Sequence, residues 1–148
     1  MHSQLSELRI IIRLSYPCEV VPAFHNLIDA LEYTYSRGVV HCDIKPGNVL
    51  VKRGADGVLV VKLSDWNASR IFQSSHPTLL SRPALTPTYA APEQFDGRVG
   101  EQTDVYQLYE SMYEVLIGTP SFTSISSKFR GEFKPPSVHD KSLAALDQ

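Results

Sequence analysis

Within eight residues, His41-Cys42-Asp43-Ile44-Lys45-Pro46-Gly47-Asn48 sets a carboxylate, an ammonium and a carboxamide on one short polar stretch. Each suits a different part of one reaction. A phosphoryl transfer needs an acceptor that orients the attacking hydroxyl, a cation that offsets charge on the moving group, and oxygen ligands for magnesium. Asp43, Lys45 and Asn48 carry those three chemistries. A zinc site is the competing assignment for His41, Cys42, His25 and Cys18. Structural zinc uses paired ligands at short Cys-x-x-Cys or His-x-x-x-His spacing, which Cys18, His25 and an adjacent His41-Cys42 pair fit poorly. His41 is therefore read as a packed, hydrogen-bonded residue that shapes the loop, and His2, His76 and His139 as surface residues.

Several elements must hold this stretch in place. Phe24, Leu27, Ile28, Leu31 and Tyr35 recur at steps of three and four, so a helix is predicted over residues 22–37, with Gly38 as its left-handed stop. Val39-Val40-His41 leads into the polar loop. Two β-rich runs follow it, at 49–52 and 58–63, joined by Arg53-Gly54-Ala55-Asp56-Gly57 as a hairpin. A second helix is predicted over residues 103–116, with a face of Val105, Leu108, Tyr109, Met112 and Val115 or Leu116 and a stop at Gly118. Inside it, Ser111 and Glu114 have capping-box spacing without a helix start to cap. Residues 1–16 fit either a helix, through Leu5, Leu8, Ile11 and Ile12, or a buried strand from Ile10 to Leu14. From Asn67 to about Leu85 no period holds, which predicts a long surface segment. The tail after Phe122 breaks at Pro135-Pro136, and residues 141–148 read as the start of a helix.

The polar stretch resembles the catalytic loop of protein kinases, whose pattern is His-Arg-Asp, an aliphatic residue, three variable residues and Asn. At ordinary residue frequencies His41, Asp43, Lys45, Pro46 and Asn48 would coincide about once in a million starts. Ser64-Asp65-Trp66-Asn67 is similar to the family's Asp-Phe-Gly turn, with Trp for Phe and Asn for Gly. Thr86-Pro87-Thr88-Tyr89-Ala90-Ala91-Pro92-Glu93 resembles the end of the activation segment, with an intact Ala-Pro-Glu, and Thr103-Asp104-Val105-Tyr106 resembles the opening of the family's buried central helix. The resemblance implies a catalytic loop at 41–48 and an activation segment at 65–93. It implies Asp43 as catalytic base, Lys45 on the γ-phosphate of ATP, and Asn48 and Asp65 on magnesium. Thr86 would bridge Asp43 and Lys45 in the platform for the acceptor peptide, and His41, Glu93 and Asp104 would be structural. Lys45, two residues after the aspartate, is similar to the serine/threonine branch, so the implied partner is a protein substrate with a Ser or Thr acceptor.

The departures from the pattern carry expectations of their own. Cys42 stands where the family has the arginine that commonly receives an activation-segment phosphate, and a neutral thiol cannot make those charge-assisted bonds. Ser69, Ser74, Ser75, Thr78 and Ser81 are therefore read as residues that keep a loop soluble. Asn67 is the non-glycine residue type that best tolerates positive φ. Trp66 keeps a large apolar anchor, and Tyr109, where the family has glycine, predicts a local packing change. Glu93 would pair in the family with a late arginine, and none suited follows Arg130.

Composition bounds the rest. The 148 residues are 43% hydrophobic and 20% charged, which is ordinary globular usage. Fourteen Lys and Arg against sixteen Asp and Glu give a net charge of -2, with no basic excess for a phosphate backbone or an anionic membrane. The longest aliphatic run is Ile10-Ile11-Ile12, and two cysteines make no disulfide framework. The expectation is a cytoplasmic chain without nucleic-acid or membrane partners. Before Asp43 there is no Gly-x-Gly-x-x-Gly loop and no Val-Ala-Ile-Lys strand. The expected fold class is therefore α+β: the mainly helical C-terminal lobe of a protein kinase with a short β-hairpin, its N-terminal lobe absent and supplied, if at all, by a parent protein. As an isolated chain it would be a weak or inactive kinase. The alternative is a pseudokinase-like module that binds proteins without catalysis, or a truncated fragment.

Overall fold

The computed structural model describes residues 9–10, 17–71 and 85–146. Helix α1 spans Pro17–Ser36 and begins more than a turn before the predicted start, carrying Pro22 inside it. Its buried stripe is Val20, Ala23, Phe24, Leu27 and Leu31. Ile28 is a correction: it lies off the stripe and is 42% exposed. The helix ends where Gly38 takes φ 69° and its N–H donates to Tyr35 O at 2.8 Å.

Strand β1 (Arg9–Ile10) settles those two residues of the ambiguous N-terminal stretch as extended; the rest of 1–16 lies outside the described residues. Strand β2 (Val39–Val40) follows α1 and runs into the polar loop. Strands β3 (Val49–Arg53) and β4 (Leu59–Leu63) form the predicted antiparallel hairpin, in register Val49↔Leu63 through Arg53↔Leu59. At its tip Gly57 takes φ 81°, a conformation that suits glycine. Strand β1 pairs with β3, giving the order β1-β3-β4. Strand β5 (Arg70–Ile71) pairs with β2, so the predicted irregular segment begins with a short ladder; residues 72–84, with Ser74, Ser75, Thr78 and Ser81, lie outside the described residues.

Helix α2 covers Glu101–Ile117 and ends at Gly118, φ 83°. Its predicted face needs correcting. Leu108 is buried and Met112 half-buried, but Val105 is 52% and Tyr109 60% exposed, so Tyr109 brings no internal packing change. The buried side instead carries Thr103, Asp104, Gln107 and Ser111. Two of them, Asp104 and Gln107, bond to the backbone of residues 41, 42 and 44, and those bonds replace apolar contacts that a hydrophobic stripe would make. Within the helix Ser111 Oγ donates to Gln107 O at 2.7 Å. Helix α3 (Ile125–Phe129) is capped by Ser124, whose Oγ accepts from Ser127 N at 3.0 Å. Residues Lys141–Leu146, read as the start of a helix, form 3-10 turns.

One core of Val20, Ala23, Phe24, Leu27, Leu31, Ile44, Val49, Val51 and Leu108 joins α1, the hairpin and α2. A smaller cluster of Val40, Cys42 and Val99 packs with Tyr35 and Ala68. Helices with a small antiparallel sheet match the α+β expectation. No helix among the described residues is long and apolar enough to cross a membrane.

Candidate active site

The polar stretch is anchored by what surrounds Asp43 and Lys45. Ile44 is fully buried in the core. Neighbours along extended backbone face opposite ways, so the side chains on either side of Ile44 face away from the core. There they meet. Lys45 Nζ donates to Asp43 Oδ2 at 2.6 Å and to Thr86 Oγ1 at 3.0 Å, and Thr86 Oγ1 donates to Asp43 Oδ1 at 2.8 Å. Asn48 Nδ2 donates to Asp43 O at 2.8 Å and to Asp43 Oδ2 at 3.3 Å. The side chains of Asp43 and Lys45 remain 14% and 26% exposed, open to a reactant.

Asp65 joins this group through the hairpin. Ser64 N and Oγ donate to Asn48 O at 2.8 and 2.9 Å, so the residues flanking β3 and β4 meet at the open end of the ladder. Asp65 itself is exposed, with Oδ1 accepting from Asn67 Nδ2 at 2.7 Å. Positive φ falls on Asp65, at 63°, and on Cys42, at 68°; Asn67, whose type suited that conformation, does not adopt it.

Such backbone strain, of order 1–3 kcal/mol per residue, persists where neighbours over-determine it. For Cys42 they do so at both ends. Cys42 N donates to Asp104 Oδ1 at 2.7 Å, and Cys42 O accepts from Gln94 Nε2 at 3.0 Å and Gln107 Nε2 at 3.1 Å. Gln107 Oε1 also accepts from Ile44 N at 2.8 Å. Burial and the Asp104 charge push the Cys42 thiol up to about 12, leaving it a neutral packing group.

Asp104 is fully buried and also accepts from His41 N at 2.7 Å and Tyr35 Oη at 3.4 Å. Burial pushes its carboxyl up to about 6, against the opposing pull of the His41 and Cys42 amides. The amide resonances of His41 and Cys42 are therefore expected to titrate together with a midpoint near pH 6. A shared midpoint below pH 4.5 in an NMR titration would show instead that the hydrogen bonds outweigh burial.

His41 links the two halves of the site. Its Nδ1 is 3.3 Å from the Asp43 N–H that it accepts, which leaves Nε2–H to donate to Ser64 O at 3.1 Å. Burial holds the imidazole below its ordinary pKa, favouring this neutral form. Its ring meets Trp66 edge to face at 4.5 Å, and Trp66 Nε1 donates to Leu63 O at 3.2 Å. Glu93 takes a neutral partner: Thr103 Oγ1 donates to Glu93 Oε1 at 2.9 Å.

The sequence reading missed Gln94, Gln107 and Ser64. Asp104, Gln107 and Ser111 fall at helical spacing on one side of α2, but polar residues at that spacing look like a solvent face, so the spacing alone does not single out Gln107. Asp43, Lys45, Asn48 and Thr86 converge directly, Asp65 reaches them through Ser64, and His41 and Asp104 brace the loop from behind. Glu93 stands apart from that cluster at the base of α2.

The protein kinase domain model matches residues 6–140. The chain belongs to the eukaryotic-like serine/threonine protein kinase family. It is similar to the probable serine/threonine-protein kinase PknB of Bifidobacterium longum, 34% identical over 105 residues, which cover 69% of this chain and 15% of the relative. Serine/threonine-protein kinase PknB of Mycobacterium tuberculosis is 30% identical over 138 residues, 87% of this chain and 21% of the relative. CBL-interacting protein kinase 19 of Oryza sativa is 31% identical over 132 residues, 83% and 25%. The chain thus spans between 15% and 25% of the length of these three relatives.

Proposed function

We propose that this chain is the C-terminal, catalytic-loop lobe of a protein serine/threonine kinase, transferring the γ-phosphate of ATP to a Ser or Thr hydroxyl of a protein. The closed contact among Asp43, Lys45 and Thr86 carries the reading. One carboxylate, one ammonium and one hydroxyl share a partly open rim, where an incoming hydroxyl can reach Asp43.

The donor set fits a hard cation held together with phosphate. Among the described residues no group of three or more His, Cys, Asp and Glu could hold a metal alone. Asp65 and the Asn48 amide oxygen offer one carboxylate and one carbonyl, the short protein set that magnesium accepts when phosphate and water fill its remaining positions. Bound ATP and Mg2+ would supply the phosphoryl group and neutralise part of its charge. Asp43 orients the substrate hydroxyl and receives its proton, a role open to a carboxylate within hydrogen-bond reach. Lys45 offsets negative charge at the rim, and Thr86 holds Asp43 and Lys45 in register. The residues that clamp the α and β phosphates in the family are not among the 148, so transfer by this chain alone is expected to be slow.

The test is transfer of labelled phosphate from ATP to a generic protein substrate, followed by phosphoamino-acid analysis. Magnesium-dependent label on serine or threonine is expected, reduced about tenfold in Thr86→Ala and kept in Thr86→Ser. Label confined to tyrosine, or none above a heat-killed control, would overturn the reading and leave a non-catalytic binding module.

A further inference from the structure

Lys128 on α3 is a buried cation that the site above does not use. It is 6% exposed, and its Nζ donates to Thr88 O at 2.7 Å and to Ala90 O at 3.0 Å. The ammonium also lies 5.1 Å from the centroid of the Tyr106 ring and 5.6 Å from that of Phe122, in the field of the Glu110 carboxylate. Lysine is almost never buried this deeply without partners, and these partners are selective. Thr88 and Ala90 lie in the turn that begins at Thr86, whose carbonyl accepts from Tyr89 N and Ala90 N, both at 3.0 Å. The same turn therefore presents the Thr86 hydroxyl to Asp43 and Lys45 and offers two carbonyls to α3.

Packing alone does not confine the turn. A recess of about 270 Å³ opens beside it, lined by Pro87, Thr88, Phe122, Ser124, Ile125 and Lys128. An apolar side chain at position 128 fills similar space beside Tyr106 and Phe122 but gives up the cation–ring attraction and releases both carbonyls next to that recess.

We propose that Lys128 is a positioning residue: by fastening Thr88 O and Ala90 O to α3 it holds the turn from Thr86 to Ala90 in the conformation that presents a protein substrate to Asp43. This rests on the platform role given to Thr86 under the proposed function. It adds that substrate affinity depends on a cation that does not touch the reacting atoms.

The full 148-residue chain, its Lys128→Met variant and its Lys128→Arg variant test it by amide hydrogen exchange and by steady-state transfer to myelin basic protein. In Lys128→Met, exchange at Tyr89 and Ala90 is expected to quicken at least tenfold while the β3 and β4 amides keep their rates. KM for the protein substrate is expected to rise about tenfold, with a fall in kcat smaller than that of Thr86→Ala because Thr86 keeps its own bonds to Asp43 and Lys45, and Lys128→Arg, which keeps N–H donors, to recover part of both effects. Uniform acceleration across the hairpin and the turn, unchanged exchange at the turn, or a loss of kcat at constant KM would overturn the proposal. If Lys128→Met does not fold, the wild-type chain still decides: NMR coupling across the hydrogen bonds from Lys128 Nζ to the Thr88 and Ala90 carbonyls is expected, and its absence overturns the clamp. Absent transfer by every variant would end the substrate-positioning role together with the kinase reading, and the exchange pattern would report that separately from the state of the clamp.

Discussion

Asp104→Ala is expected to destabilise the fold by about 2–5 kcal/mol, a large share of the ~5–15 kcal/mol that holds a domain together. The buried amides of His41 and Cys42 both lose their acceptor, and stranding each costs roughly 1–3 kcal/mol. The removed carboxylate is itself fully buried, with its pKa raised to about 6. Its departure relieves some desolvation, which keeps the total below two full penalties. Cys42 would also be released from one end of its clamp while still at φ 68°. Asp104→Asn retains one oxygen acceptor and turns its amide nitrogen toward the other donor, so about half the loss is expected. Urea midpoints at constant m-value measure the difference. An Asp104→Ala midpoint equal to that of the parent would mean that water reaches both amides and that the carboxylate does not brace the loop.

Asp43→Asn is expected to lower phosphoryl transfer by about 10²–10⁴-fold while leaving the unfolding midpoint nearly unchanged. The carboxamide has the carboxylate's shape but opposite hydrogen-bonding character at one end. Asp43 Oδ1 accepts from Thr86, and Oδ2 accepts from both Lys45 and Asn48. Turned toward Lys45 and Asn48 the amide nitrogen would face two donors, whereas turned toward Thr86 it can donate to that hydroxyl, which also accepts; neither orientation leaves a base for the substrate hydroxyl. Stability is spared because the side chain is still 14% exposed and holds no core volume. Measuring kcat and the urea midpoint on the same preparation separates the two effects. A parent-like rate in Asp43→Asn would remove Asp43 from the chemistry, and an equal fall in rate and stability would make it part of the scaffold.

What could be read from the sequence depended on whether the signal was periodic. The stripe on α1 and the β3–β4 hairpin were visible because burial and alternation leave a repeat in the residue types. The buried side of α2 was not, because Asp104 and Gln107 are held by backbone groups of residues 41, 42 and 44, more than sixty positions away. Polar residues in such places look like a solvent face. The two-residue β2–β5 ladder and five-residue α3 were too short to show any period. The candidate residues of the loop were legible for another reason: their types and order could be matched as a motif without knowing their partners. The link from His41 through Ser64 toward Asp65 was not, since it runs through a ring nitrogen and a carbonyl.

The hairpin between Asn48 and Asp65 separates chain length from site geometry. Its five rungs run from Val49↔Leu63, beside the candidate magnesium ligands, to Arg53↔Leu59, beside the loop. One ladder rung, rather than the sixteen intervening residues, therefore sets how far the amide lies from the carboxylate. Lengthening the exposed tip around Ala55 and Asp56 adds closure entropy only logarithmically, about 0.6 kcal/mol for each doubling of a flexible loop. The ligand pair at the opposite end keeps its spacing. The tip is thus a tolerant port, where an epitope, a fluorophore or a docking peptide can be spliced in with the end that carries Asn48 and Asp65 left in register.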